Sequence, residues 1–291
     1  MDTGQLFESY RPLLFSIAYR MTGSVMDAED LVQDAFLTFE QKRLEESINN
    51  EKAYLCKIVT NKSIDKLRSA AHQREVYIGE WLPEPLVNIK EEPSNIYMEK
   101  ESISVAYLLL LQQLSESERA IFLLREVFQY SYDEMSRMLD KTPANCRQIF
   151  HRSKKSIVGN NFAPSTLNFF DMKRNVEMFT LALQQGNIAQ MMELMKSDAI
   201  YIADGGGKVL SALKPIYSAQ RIVSLFTSII KQMSPDQKLE FHIVNGNPGI
   251  VITNNESVEY VLSFEFEDAK IARVYMVSNP DKLMHLNLND K

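Results

Sequence analysis

Between Asn145 and Lys154 the chain carries side chains suited to reading a nucleic acid: Asn145, Arg147, Gln148, His151, Arg152 and Lys154. Amides and guanidinium groups match the paired donors and acceptors of base edges in a major groove, whereas lysine and histidine suit phosphates. Helical spacing turns Cys146, Ile149 and Phe150 to the opposite side, towards an apolar partner. Residues 141–155 hold five Lys or Arg and no acid, so nothing in that stretch repels a polyanion. Thr142 supplies an N-cap hydroxyl and Pro143 fits the first helical position. Upstream, Ser131 with Glu134 forms a capping-box signature for a helix presenting Met135, Met138 and Leu139. Leu139-Asp140-Lys141 between the two helices has the length of a helix-turn-helix turn, and Asp140 tolerates a left-handed backbone. A solvated amphipathic helix pair is the plainer alternative. Capping, turn length and an acid-free basic face together favour a DNA-reading helix-turn-helix over Ser131 to Lys155.

A second basic stretch runs from Tyr54 to Arg74, with five Lys or Arg (Lys57, Lys62, Lys66, Arg68, Arg74) against one acid, Asp65. Taken alone it could equally be a solvated face. The net charge of −6 argues at first against a nucleic-acid binder, but the acids are segregated. Residues 27–46 carry seven against two bases, and residues 75–101 repeat that balance. Two basic segments between acidic ones suggest two separate contacts.

The elements that must position these residues follow from periodicity. Apolar residues recur at helical spacing from Phe7 to about Arg74, most clearly Ala28, Leu31, Val32, Ala35, Phe36 and Phe39. Another helix is expected from Ala53 to about Arg68. From Glu75 to about Ile103 the periodicity fades and Pro83, Pro85 and Pro93 appear, as in a linker. A second helical block spans about 103–157, opened in part by Ser115 and Glu118. Beyond Pro164, helices are expected at Phe169–Gln185, Ile188–Lys196 and Tyr217–Met233. Strands are expected around Leu239–Ile243, Ile250–Thr253, Val258–Phe266 and Ile271–Val277, with turns at Asn254-Asn255 and Asp268-Ala269. Helices followed by an antiparallel meander make an α+β domain. Asp204-Gly205-Gly206-Gly207-Lys208 reads as a tight hairpin; it lacks the following helix of a phosphate loop.

The chain is thus expected to be multidomain: a helical bundle (1–74), an acidic linker (75–102), a helix-turn-helix domain (103–158), a short linker (159–168), an α+β domain (169–278) and a tail (279–291). Cys56 and Cys146 sit among apolar neighbours and read as buried hydrophobes. No metal site or cofactor is expected. Neither a secretion signal nor a membrane-spanning apolar run is visible, which points to the cytoplasm.

Three motifs resemble extracytoplasmic-function (ECF) RNA polymerase sigma factors. Asp27–Phe36 (DAEDLVQDAF) and Tyr54–Arg68 (YLCKIVTNKSIDKLR) look like region 2; Leu114–Met135, continued through the Thr142 helix, looks like region 4. The resemblance implies roles for matched positions. Asp30, Gln33, Asp34 and Leu37 would bind the β′ clamp helices of core polymerase. Lys57, Asn61, Lys62, Lys66 and Arg68 would contact the −10 element, with Asn61 beside a flipped base. Thr142, Asn145, Arg147, Gln148, His151, Arg152 and Lys154 would read the −35 element. The acidic linker would thread the RNA exit path. Asp140 departs from the usual glycine, Cys146 from valine and Ser153 from alanine.

Trp81–Pro85 (WLPEP), Asp204–Lys208 (DGGGK) and Asn279–Leu283 (NPDKL) resemble the SigJ-type group, which carries a fused SnoaL-like cone domain. That resemblance assigns Asp204, Gly205, Gly206, Gly207 and Lys208 to a regulatory loop. Asn279, Pro280, Asp281, Lys282 and Leu283 become a tail with the same task. The implied function is promoter-specific initiation with core polymerase, modulated in cis by that domain, with a small apolar molecule in its pocket as the signal it could bind. Two alternatives differ in class: a one-component helix-turn-helix regulator with a ligand-binding domain, and a SnoaL-like enzyme with a DNA-binding appendage. For the enzyme, Tyr201, Asp204 and His242 are the acid/base candidates; the fold alone licenses no chemistry, and no catalytic residue is assigned.

Overall fold

A computed structural model describes residues 3–45, 47–87, 103–158 and 167–286. The chain forms two compact units, one from the helices of residues 3–75 and 107–158, the other from residues 76–87, 103–106 and 167–286.

In the first unit, α1 (Thr3–Thr22), α2 (Val25–Glu45) and α3 (Glu51–Glu75) pack as a bundle. The expected α2 stripe is buried throughout, because three- and four-residue spacing returns those side chains to one face. Asp30, Gln33, Asp34 and Leu37 consequently point to solvent. After α4 (Val105–Gln112) come α5 (Glu116–Phe122), α6 (Tyr132–Leu139) and α7 (Pro143–Val158). Both capping boxes close reciprocally, Ser115 with Glu118 and Ser131 with Glu134. Helix α5 widens into a π-helical turn at Leu123–Val127. Asp140 ends α6 with φ 49° and ψ 47°, the left-handed corner of the helix-turn-helix. Cys146, Ile149 and Phe150 are buried, as are Met135, Met138 and Leu139.

In the second unit, α8 (Phe169–Gln184) and α9 (Ile188–Leu194) precede β1 (Met195–Asp204), β2 (Ile216–Tyr217) and α10 (Ala219–Gln232). Strands β3 (Gln237–Val244), β4 (Asn247–Asn254), β5 (Ser257–Glu267) and β6 (Lys270–Val277) follow. The sheet order is β2-β1-β6-β5-β4-β3. The expected meander is present, but β1 joins it parallel to β6, so the sheet is mixed. One face of the sheet and the three helices enclose a core in which Phe179, Tyr201, Phe226 and Phe264 meet, with ring centroids 5.6–5.8 Å apart.

Two sequence expectations change here. The glycine loop is not a tight hairpin: Lys208 N–H turns back to the Gly205 carbonyl, and the chain then runs to residue 216 before β2 returns antiparallel to β1. Residues 75–102 are also not one uniform linker. Glu75 closes α3, and residues 76–87 belong to the α+β unit. Proline density had masked apolar side chains that find partners on the sheet; Leu82 is fully buried. The remaining linker residues, 88–102, the second linker at 159–166 and the tail beyond 286 lie outside the described residues.

Candidate nucleic-acid interface

Helix α3 carries the five side chains expected at the −10 element, and each has a partner within the protein. The Lys57 ammonium lies 3.6 Å from the Asp140 carboxylate, and the Asn61 amide donates to the Met138 carbonyl at 2.9 Å. Lys62 pairs with Asp34 at 3.3 Å and Lys66 with Asp27 at 2.7 Å. Arg68 reaches Glu116 at 3.0 Å. Three of these partners belong to the α5–α6 region, so the second basic stretch faces the helix-turn-helix. Two further contacts join the same two helical regions. Buried Arg119 donates to the carbonyls of Leu111 and Met21, tying α5 to the last turn of α1. The Tyr130 hydroxyl donates to Cys56 Sγ at 3.2 Å. Burial first, and the neighbouring thiol next, push the Tyr130 phenol far above its usual range. The Cys56 thiol is itself raised by burial.

Helix α7 exposes Asn145, Arg147, Gln148, His151, Arg152 and Lys154 as its spacing predicts, and Thr142 accepts the Asn145 N–H at 3.2 Å as the N-cap. The basic side chains differ in what holds them. Arg152 is tied to Glu118 at 2.6 Å and Lys154 to Glu126 at 3.1 Å. Arg147 instead lies over the Tyr132 ring, 5.1 Å from its centroid.

In the α+β unit the three resembling motifs converge. Asp204, at the end of β1, is fully buried. Its carboxylate accepts from the Tyr77 hydroxyl at 2.5 Å, the Leu82 N–H at 2.8 Å, the Lys282 ammonium at 2.7 Å and the Gly206 N–H at 3.1 Å. Lys282 also donates to the Leu82 carbonyl and sits 3.8 Å from the centre of the Trp81 ring. Asn279 donates to the Tyr77 oxygen, and Lys208 pairs with Asp281 at 2.5 Å. Burial first, then the hydrogen bond to Asp204, drive the Tyr77 phenol well above its ordinary value. Further along, Asn245 exchanges hydrogen bonds with Leu86, and Val87 bridges Val244 at the end of β3. Residues 77–87 are thus fastened from β1 to β3, across the width of the three intervening strands. A buried ion pair is tolerable here because hydrogen bonds occupy the carboxylate from several sides. Tyr77 escaped the sequence reading; an isolated tyrosine before Trp81 carries no periodic signal.

The acid/base candidates do not assemble. Tyr201 lies in the core, its hydroxyl 3.3 Å from the Met276 sulfur. Strand register places His242 with Gly249, Ser263 and Tyr275, on the face opposite Tyr201, Val274 and Phe264. Asp204 is committed to the linker and tail.

Comparison with known proteins finds two family matches: Sigma-70 region 2 over residues 6–73 and Sigma-70, region 4 over residues 104–157. The chain is 28% identical over 299 residues to the ECF RNA polymerase sigma factor SigJ of Mycobacterium tuberculosis, covering 98% of this chain and 94% of that protein. It is 24% identical over 280 residues to a probable ECF RNA polymerase sigma factor SigI of the same organism, covering 95% and 93%. The crystal structure of M. tuberculosis SigJ matches with a TM-score of 0.77 at 25% identity, covering 96% of this chain and 98% of that one. Among the described residues, no helix is long and apolar enough to cross a membrane.

Proposed function

The chain belongs to the ECF RNA polymerase sigma factors, and from that premise we propose that it grips a promoter at two points under the control of its own α+β domain. Its sigma regions imply binding to RNA polymerase and promoter DNA. In this reading, Asp30, Gln33, Asp34 and Leu37 meet the β′ clamp helices. Lys57, Asn61, Lys62, Lys66 and Arg68 take the −10 element, and the exposed face of α7 takes the −35 element. The setting is the cytoplasm.

One observation carries the regulatory part: the −10 side chains Lys57, Asn61 and Arg68 are occupied by region 4. That supports an occluded arrangement, which must open before both promoter elements can be held together. Opening depends on the chain joining the two regions, and residues 77–87 of that chain are gripped through Asp204 and Lys282. Releasing them adds roughly 35 Å of extensible chain. The regulatory loop and tail (Asp204 to Lys208, Asn279 to Leu283) act as the clasp. A small apolar molecule acting on the core around Phe179 and Tyr201 is the signal we assign to this domain. We assign no catalytic role, in keeping with the separation of Tyr201 from His242.

The test is a pull-down with core polymerase, then run-off transcription from a cognate promoter. It compares the full chain, a version ending near Gly159, one ending near Val277, and Lys282→Met. Differing outputs support cis control; equal output from all of them would remove it. Tight operator binding without polymerase would instead favour a one-component regulator.

A further inference from the structure

We propose that Tyr132 is a positioning residue for promoter recognition: its ring is the platform that presents Arg147 to the −35 element. The proposal rests on the reading of α7 as the −35 helix.

The ring is itself fixed. Tyr132 opens α6 directly after the Ser131 N-cap, whose amide and hydroxyl both bond Glu134, at 2.7 and 2.6 Å. Its ring meets Phe150 of α7 edge to face, centroids 6.3 Å apart at 66°. It therefore joins the two helices of the motif where the recognition side chains emerge.

Two guanidinium groups converge on this ring, Arg147 at 5.1 Å and Arg125 at 5.0 Å from its centroid. Arg125 comes from the π-helical turn and is tethered by a hydrogen bond to the Tyr130 carbonyl at 3.0 Å. Neither arginine is paired with a carboxylate among the described residues, unlike Arg152 and Lys154 on the same helix. The distinction is chemical. A carboxylate engages the N–H edge of a guanidinium, the edge that would otherwise pair with guanine O6 and N7. An aromatic ring attracts the cation through its π face and supplies no oxygen acceptor, so no carboxylate has to be displaced before that edge meets a base. Arg147 is thus ordered without being spent, so less side-chain freedom is lost when it meets a base. Two cations on one ring also raise the local positive potential where a DNA backbone would approach.

The experiment is run-off transcription with core polymerase and full-length chain. The template is a promoter recovered from fragments of the source genome, together with variants at every −35 position. Arg147→Ala is expected to flatten base preference at one −35 position and lower output from the parent promoter by about ten-fold or more. Tyr132→Leu is expected to flatten preference at that same position by about two- to five-fold. Tyr132→Phe, which keeps the ring, should restore it. The double variant Tyr132→Leu/Arg147→Ala should resemble Arg147→Ala alone. If Tyr132→Leu lowers all promoters evenly, or adds in full to Arg147→Ala, the ring is merely structural and the proposal fails. If Arg147→Ala leaves every −35 preference unchanged, the base-reading role of α7 falls first. Thermal melting of each variant separates loss of fold from loss of recognition.

Discussion

The Asn61 side chain of α3 donates to the main-chain carbonyl of Met138 at 2.9 Å, joining the helix assigned to the −10 element to the last turn of α6. The last carbonyls of a helix lack intrahelical donors and carry the negative end of its dipole. Lys57 approaches the same end through Asp140 at 3.6 Å. The amide that would capture an unstacked base thus serves as a C-terminal cap for the helix-turn-helix.

Asp140→Gly is the cleanest way to loosen this contact. Glycine keeps the left-handed backbone that Asp140 adopts at φ 49° and removes only the carboxylate. An exposed pair of this kind contributes about 0–1 kcal/mol, so separation of the two sigma regions should rise by no more than about five-fold. Affinity for a single-stranded −10 oligonucleotide, measured at low and high salt, checks it. The variant should bind more tightly at low salt and converge with the parent at high salt. Unchanged binding at low salt would show that Asp140 does not hold the masked state.

Lys282→Met should be far more costly. It leaves the Asp204 carboxylate buried without its cation, and breaking such a pair costs about 3–5 kcal/mol. Trp81 is the chain's single tryptophan and lies 3.8 Å from the Lys282 ammonium, so its emission reports the clasp directly. The variant is expected to show red-shifted emission and a lower melting temperature for the α+β domain. Emission identical to the parent would mean that residues 77–87 stay docked without the ion pair. Asp204→Asn combined with Lys282→Met should cost less than the sum of the two, since no buried charge then remains.

Local chemistry was readable where it repeats or caps. The stripe of α2, the boxes at Ser115 and Ser131, and the turn at Asp140 depend on neighbours a few residues away, and each formed as its spacing predicts. What the sequence hid is long-range. Nothing near Asn61 announces Met138, and nothing near Trp81 announces Lys282, because those pairings exist only once distant segments meet. The motifs around Trp81, Asp204 and Asn279 could be noticed as motifs, but not as one buried site. Composition misled at residues 76–87, where prolines and acids suggested solvent and the sheet supplied partners instead.

Gly206→Ala tests the loop itself. Gly206 has φ +59°, and a Cβ there would collide with the Asn279 carboxamide. Left-handed strain and the clash act together, so a loss above about 1 kcal/mol is expected. Asn279 would be displaced from Tyr77, which should redden Trp81 emission as Lys282→Met does. A stable variant with parental emission would show that the loop and tail yield independently.

The capped carboxylates give region 4 an acid limit. Glu118 is pushed up by burial, but hydrogen bonds from Ser115 and Arg152 outweigh this and hold it below its usual value. The Glu134 carboxyl is lowered by its hydrogen bonds from Ser131. Glu116 is lowered by a backbone hydrogen bond and by Arg68. A carboxyl that titrates lower in the folded than in the unfolded state contributes stability above its unfolded value, here 4.5, and that contribution is lost as pH falls through the folded value. Region 4 should therefore hold a flat melting temperature near neutrality and weaken progressively below about pH 4.5. Ser115→Ala should cost about 1 kcal/mol near pH 7 and progressively less in acid, where Glu118 is protonated and its side of the box is lost. Melting of parent and variant across that range decides it: the two curves should converge on acidification. Curves that stay parallel to the lowest pH would mean that the cap stabilises α5 through the Ser115 hydroxyl alone, independently of the Glu118 charge.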